Sequence, residues 1–280
     1  MKGTPAREAL DGAITAIAAA GCETPRLDAE VLLAHVLGVS RARLLSDREL
    51  CVEGSAVRAF QDAVRRRAVQ REPVAYITGS RGFRRLELAV DPRALIPRPE
   101  TELLVEVVLE ALGPGARVLD LCTGSGAVAL ALKDERPDLH VSGSDLSAEA
   151  LALARANGER LGLEVCWLQG DLLEGIPDEF EAVIANPPYV ADTERSSLAP
   201  EILRHEPAGA LFAGVDGLAV IEELLRQLAG RERVEIVALE VGAGQATSVA
   251  GLMREGGFEE VECRRDLSGI ERVVMGARGR

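Results

Sequence analysis

Between residues 117 and 241, short apolar runs alternate with helical segments. Residues 117–121, 140–144, 165–169, 182–185 and 234–241 read as strands. Residues 128–133, 149–160 and 218–228 read as helices between them. Parallel neighbours need a crossover element between them. The alternation therefore predicts an α/β domain, a parallel sheet with helices on both faces. Residues 259–264 and 272–275 break the pattern, because they stand too close for a helix to intervene. They are expected as an antiparallel pair finishing the sheet.

The first 72 residues read as a separate helical domain. Ala9, Leu10, Ala13, Ile14, Ile17 and Ala18 fall at helical spacing, and Gly21 stops the run. Thr24-Pro25 offers an N-cap with proline at the first helical position, and Gly38 closes that second helix. Ser40 and Ser55 are expected to cap two more. The run Arg65-Arg66-Arg67 reads as a solvated face. Pro73 ends this part, and residues 74–79 and 86–90 are expected as the strands of a hairpin linking two domains. The expected division is a helical domain 1–72, a hairpin linker 73–92 and a catalytic domain 93–280.

Charge is uneven along the chain. Residues 1–90 carry 14 basic and 11 acidic side chains, +3, whereas residues 91–280 carry 18 and 34, −16. A strongly acidic catalytic half repels a phosphate backbone, which argues against a nucleic-acid substrate. With 47% apolar residues the chain can bury a core, and no apolar run approaches the roughly 20 residues of a membrane span. Met1-Lys2-Gly3-Thr4-Pro5 does not read as a secretory signal. Cys22, Cys51, Cys122, Cys166 and Cys263 are odd in number and scattered, which points to reduced thiols in the cytoplasm.

Two motifs carry chemistry. The first strand runs into Asp120-Leu121-Cys122-Thr123-Gly124-Ser125-Gly126-Ala127 and then a helix. A glycine turn lets a ligand approach the backbone closely, at a helix start. Asp145 follows the second strand, where an acid can accept both ribose hydroxyls of an adenosine. Asp171 and Leu172 follow the third strand on the same edge, where an acid can take the adenine amino group. Cys122 stands at the first glycine position of a dinucleotide fingerprint and the third glycine is missing, so no diphosphate cradle is evident. That favours a ligand without pyrophosphate, such as S-adenosylmethionine.

The second motif is Asn186-Pro187-Pro188-Tyr189 at the end of the fourth strand. It suits methylation of a planar nitrogen, whose delocalised lone pair makes it a poor nucleophile. The Asn oxygen and the Pro187 carbonyl can each accept one N–H of such a group. Two prolines hold these acceptors in extended backbone, and the Tyr ring offers a flat wall. Read alone, the tetrapeptide is also an Asn-Pro turn. His205-Glu206-Pro207 resembles the start of a zinc-protease motif, but Gly209 stands where the second His would be, so no metal is expected.

With both motifs in hand, the chain resembles the HemK/PrmC family, the glutamine-N5 methyltransferases of bacterial peptide chain release factors. The likeness runs through Leu27-Asp28-Ala29-Glu30-Val31-Leu32-Leu33, through Pro73 to Phe83, and through Ile96-Pro97-Arg98-Pro99-Glu100-Thr101-Glu102. It continues in the two motifs, in Glu206-Pro207, in Asp216-Gly217-Leu218 and in Glu240-Val241-Gly242, and it closes in Arg265-Asp266-Leu267-Ser268-Gly269. The resemblance implies a seven-stranded Rossmann-like methyltransferase domain, preceded by a small helical substrate-docking domain and a β-hairpin linker. It implies S-adenosylmethionine as cofactor, held by Cys122, Thr123, Gly124, Ser125, Gly126, Asp145, Asp171, Leu172 and Asn186. It implies a glutamine of the Gly-Gly-Gln loop of class I release factors as substrate, held by Asn186, Pro187, Pro188, Tyr189 and Phe83. Asn186, Pro187 and Tyr189 would be catalytic. Where the family has Glu-Phe-Trp, this chain has Gly82-Phe83-Arg84. Cys122 replaces the usual glycine, which is expected to require only ordinary backbone angles there. An adenine-N6 methyltransferase acting on nucleic acid, a ribosomal-protein glutamine methyltransferase and a non-catalytic adenosine-binding module are the competing expectations.

Overall fold

The computed structural model describes residues 3–279. The first two residues of the N-terminal reading lie outside them. The chain forms two compact units. One holds residues up to Ser80 together with Ala199–His205, and the other holds Arg81–Leu198 and the chain from Glu206 onward. The first break between the two units falls between Ser80 and Arg81. A second, later stretch joins the first unit, which the sequence did not suggest.

The first unit is helical. It comprises β1 (Thr4–Pro5), α1 (Ala6–Ala19), α2 (Pro25–Leu37), α3 (Arg41–Ser46), β2 (Cys51–Val52), α4 (Ser55–Ala68) and α5 (Val74–Thr78), and β1 pairs antiparallel with β2. Ile17, Leu32, Leu33 and Phe60 form its core. Gly38 ends α2 at φ 63°, and the Ser40 hydroxyl accepts the Arg43 N–H at the start of α3, both as expected. Three expectations fail. Residues 74–79 form a helical turn, not a strand, because Pro73 starts it and Gly79 at φ 73° ends it. Gly54, not Ser55, occupies the cap of α4. Arg67 is not solvated: it is 6% exposed, with Nε 2.6 Å from Asp28 and Nη1 2.7 Å from Glu201. Glu201 lies on α9 (Pro200–His205) and also takes a two-pronged bond from Arg71 Nη2 at 2.8 Å.

The second unit opens with a hairpin, β3 (Ser80–Phe83) and β4 (Leu86–Ala89), and α6 (Thr101–Ala111). It continues through β5 (Arg117–Leu121), α7 (Ala127–Glu135), β6 (His140–Asp145), α8 (Ala148–Leu161), β7 (Cys166–Gln169) and β8 (Ala182–Ala185). It closes with α10 (Ala219–Leu228), β9 (Ile236–Glu240), α11 (Ala246–Glu255), β10 (Glu260–Arg265) and β11 (Glu271–Ala277). The seven-stranded sheet has the order β10-β11-β9-β8-β5-β6-β7. Its β9-β8-β5-β6-β7 part is parallel, and β11 inserts antiparallel between β9 and β10.

Period-two alternation divides the sheet's side chains between two cores. Val118, Ala182, Ile184 and Ala238 pack on one face under α6 and α7. Leu119, Leu121, Val183, Val237 and Leu239 pack on the other under α10 and α11. β5 pairs with β6 on one side and β8 on the other. The chain leaves it in opposite directions, so a crevice opens beyond the carboxyl ends of these strands. Among the described residues no helix is long and apolar enough to cross a membrane.

Candidate active site

A cavity of about 470 Å³ occupies that crevice. Its floor is the turn after β5, where Cys122, Thr123, Gly124 and Ser125 line it. The turn is tight: Cys122 has φ 55°, Gly124 φ 56° and Gly126 φ 84°. The expectation of ordinary backbone angles at Cys122 is therefore overturned. The cysteine sits in the left-handed region that its Cβ disfavours. Asp120 braces the turn from below, its Oδ2 accepting the Thr123 hydroxyl at 2.6 Å and the Ala129 N–H at 3.1 Å. Burial pushes the Asp120 carboxyl up to about 7, against the pull of these two donors. Gly126 is not at the cavity wall. A Cβ there would stand 2.9 Å from the Trp167 ring and 3.2 Å from Ala154, so this glycine lets the start of α7 pack closely.

Asp145 closes one side. Its Oδ2 accepts the Gly124 N–H and its Oδ1 the Ser147 N–H, both at 2.9 Å. These bonds fix the carboxylate and leave lone pairs for a ligand. Burial raises its proton affinity, and the backbone donors oppose the rise. Beside it, the Ser144 hydroxyl is buried with no hydrogen-bond partner among the described residues and lines the cavity. Asp171 and Leu172 line the far end, with Leu172 at φ 53°. The Cys122 thiol is pushed far up by burial and then by Asp145, Asp120 and Asp171, so it stays neutral.

Asn186 and Pro188 bring the second motif to the cavity. Asn186 Nδ2 donates to Thr101 Oγ1 at 3.1 Å, which leaves the side-chain oxygen free to accept. Pro187 is buried. Tyr189 stands behind the wall, its hydroxyl donating to Glu240 Oε1 at 3.0 Å. Burial and the Glu240 charge push that phenol well above its usual range.

Phe83 is a correction. It is 1% exposed, inside the core with Leu104 and Val128, and does not line the cavity. Its place on β3 turns it inward, and Leu95, Ile96 and Pro97 form the wall instead. Arg84 next to it ties the hairpin to two helices, with Nε 2.7 Å from Glu135 and Nη1 2.6 Å from Glu106. Sequence reasoning also missed what holds the 94–98 segment. Glu206, 7% exposed, accepts the Ile96 N–H at 3.2 Å and Arg98 Nη2 at 2.6 Å. No local signal links residues 108 and 110 positions apart; the nearest was the presence of both stretches among the motifs of the resemblance.

This arrangement can hold a nucleoside-bearing ligand along the strand ends and present a planar N–H group to Asn186. The PrmC N-terminal domain matches residues 8–79, and the methyltransferase small domain matches residues 99–228. A release factor glutamine methyltransferase of Deinococcus radiodurans is 40% identical over 276 residues, spanning 97% of this chain and 98% of the relative. The chain belongs to the release factor glutamine methyltransferase family. Another member of that family, from Bordetella pertussis, is 44% identical over 257 residues, covering 90% of this chain and 94% of its own. Beyond the release factor glutamine methyltransferases, the fold is shared with the E. cuniculi Mtq2–Trm112 complex, described as responsible for methylation of the eRF1 translation termination factor. The TM-score is 0.50 at 22% identity, covering 67% of this chain and 99% of that one.

Proposed function

We propose that this chain transfers a methyl group from S-adenosylmethionine to the side-chain amide nitrogen, N5, of the glutamine in the Gly-Gly-Gln motif of class I release factors. One observation carries the reading: Asn186, at the cavity wall, spends its Nδ2 on Thr101 and keeps its oxygen as an acceptor. The names of the curated relatives support the choice of acceptor.

The residues present suit the cofactor. Asp120, Asp145 and Asp171 give the cavity an acidic lining, which favours a cationic ligand and disfavours a diphosphate. Asp145 is set to accept the ribose hydroxyls, the orphaned Ser144 hydroxyl offers a further polar contact, and Asp171 lies where an adenine amino group would fall. When bound, the sulfonium supplies an activated methyl group, so the protein's work is mainly positioning. Asn186 accepts one amide N–H and the Pro187 carbonyl the other. Together they turn the nitrogen lone pair out of conjugation and favour a tetrahedral nitrogen. An N-alkylated amide that still carries its extra proton is strongly acidic, so it needs no dedicated base. Residues 1–90 carry +3 against −16 for the rest, and this N-terminal part serves to recruit the acceptor protein in the cytoplasm.

The test is a methyl-transfer assay with a release factor, a ribosomal protein and DNA as separate acceptors. The release factor should be methylated on glutamine and DNA should not; methylation of DNA alone would move the function to adenine-N6 transfer. Asn186→Ala should lower turnover on the release factor by about 10²–10³-fold. Its cofactor affinity, read by calorimetry, should stay near wild type, and unchanged turnover would remove Asn186 from the mechanism.

A further inference from the structure

Asn186 has two ends, and only one of them serves an amide substrate. With its oxygen toward the cavity it accepts an incoming N–H; reversed, it would set N–H against N–H. Thr101, 4% exposed at the start of α6, decides between them. Its Oγ1 accepts Asn186 Nδ2 at 3.1 Å. The same hydroxyl acts on the carboxyl group of Glu240, 1% exposed at the end of β9, and lowers its proton affinity. Tyr189 donates to Glu240 Oε1 at 3.0 Å. Glu240 Oε2 is a buried acceptor with no hydrogen-bond partner among the described residues, available to the Thr101 hydroxyl.

A carboxylate only accepts. It draws the hydrogens of both hydroxyls toward itself, and Thr101 then has only a lone pair left for Asn186. A lone pair calls for an N–H, which turns Nδ2 inward and the oxygen outward. We propose that Thr101 and Glu240 are positioning residues that fix which end of the Asn186 amide faces the substrate, with Glu240 setting the polarity of the chain Asn186→Thr101→Glu240←Tyr189. This rests on the amide-methylating role of Asn186.

A polarity set by Glu240 has a pH signature. Burial raises the proton affinity of Glu240, while Thr101 and Tyr189, and Arg272 on β11, lower it and Glu100 raises it. As pH falls, Glu240 gains a proton, its carboxyl can donate, and the polarity of the chain is lost. Turnover should therefore decline on the acid side through Glu240, and Glu240→Gln, which cannot ionise, should flatten that limb.

The experiment uses the full chain with Thr101→Val, Thr101→Ser and Glu240→Gln, each checked for cooperative thermal unfolding. Thr101→Val should lower kcat by about 10- to 100-fold, the cost of a misaimed reacting group, with cofactor affinity little changed. Thr101→Ser should restore most of the loss, because it returns the hydroxyl. Wild-type kcat in Thr101→Val, absence of rescue by serine, or an acid limb unchanged in Glu240→Gln would each overturn the proposal. A wild-type chain that fails to methylate the release factor would instead overturn the substrate. In that case the side-chain amide resonances of Asn186 in ¹⁵N spectra, assigned by their loss in Asn186→Ala, decide the matter. They should shift in Thr101→Val, and unchanged resonances would refute the network.

Discussion

In the helical unit the buried charges are matched by opposite charges. Arg67 lies between Asp28 and Glu201, and Glu201 is shared with Arg71. Around the cavity Glu206 is ion-paired with Arg98, but three other buried carboxylates are matched by something else. Asp120 takes a hydroxyl and a backbone N–H, Asp145 takes two backbone N–H groups, and Glu240 takes the Tyr189 hydroxyl. None of these three forms an ion pair among the described residues. An ion-paired carboxylate is spent on the fold. A carboxylate held by neutral donors is not neutralised by a cation and shows the strain of burial in a raised proton affinity.

The difference between the two regions should be largest at Arg67. Arg67→Ala leaves Asp28 buried with only the Thr24 hydroxyl, 2.7 Å away, and should cost about 3–5 kcal/mol of stability. Urea unfolding measures this, and a loss below about 1 kcal/mol, the scale of an exposed pair, would mean that the cluster is not the centre of the unit. Asp145→Ala should instead leave folding nearly intact and weaken S-adenosylmethionine by about 1.5–3 kcal/mol, the loss of charged hydrogen bonds. Calorimetry showing unchanged affinity would place Asp145 with the structural charges.

Asp120 sharpens the contrast through pH. Its folded value of about 7 lies above the ordinary carboxyl value, so between about 4 and 7 the folded chain holds a proton that the unfolded chain has released. Its contribution to stability is thus greatest at low pH and is lost as pH rises through about 7, at no more than about 1.4 kcal/mol per pH unit. Asp120→Asn should remove that slope from thermal unfolding measured across the window; an unaltered slope would assign it to another group. The smallest effect is expected at Cys122. Cys122→Gly relieves a left-handed non-glycine residue but adds chain entropy, for a net gain of about 1 kcal/mol or less. A fall in Tm would show that the cysteine side chain contributes more by packing than it costs in backbone strain.

What the sequence disclosed follows from the range of the forces involved. The parallel strands were legible because short strand-like segments alternate with helical ones, and the order of strands and crossovers leaves few topologies. The lining of the cavity by Asp145 and Cys122–Ser125 was legible because each sits at a strand end. The hairpin was displaced by one element because Val74-Ala75-Tyr76-Ile77-Thr78 has strand-forming side chains, yet the Pro73 and Gly79 that flank it are helix punctuation. The burial of Arg67 was illegible, since its partner Glu201 lies 134 residues away. The same holds for the bond between Asn186 and Thr101, 85 residues apart. Cys122 is a different case: its clue is local, a side chain at a glycine position, and the backbone strain it implies is present at φ 55°.

The seven residues from Ala199 to His205 that return to the helical unit have a consequence for synthesis and for dissection. A ribosome that has made α1 through α5 has not yet made Glu201, so the centre holding Arg67 and Arg71 can close only after most of the catalytic unit has been translated. Cutting the chain after residue 72 would likewise leave Glu201 without either arginine. The two units are distinct as bodies, but no single cut in the chain divides them.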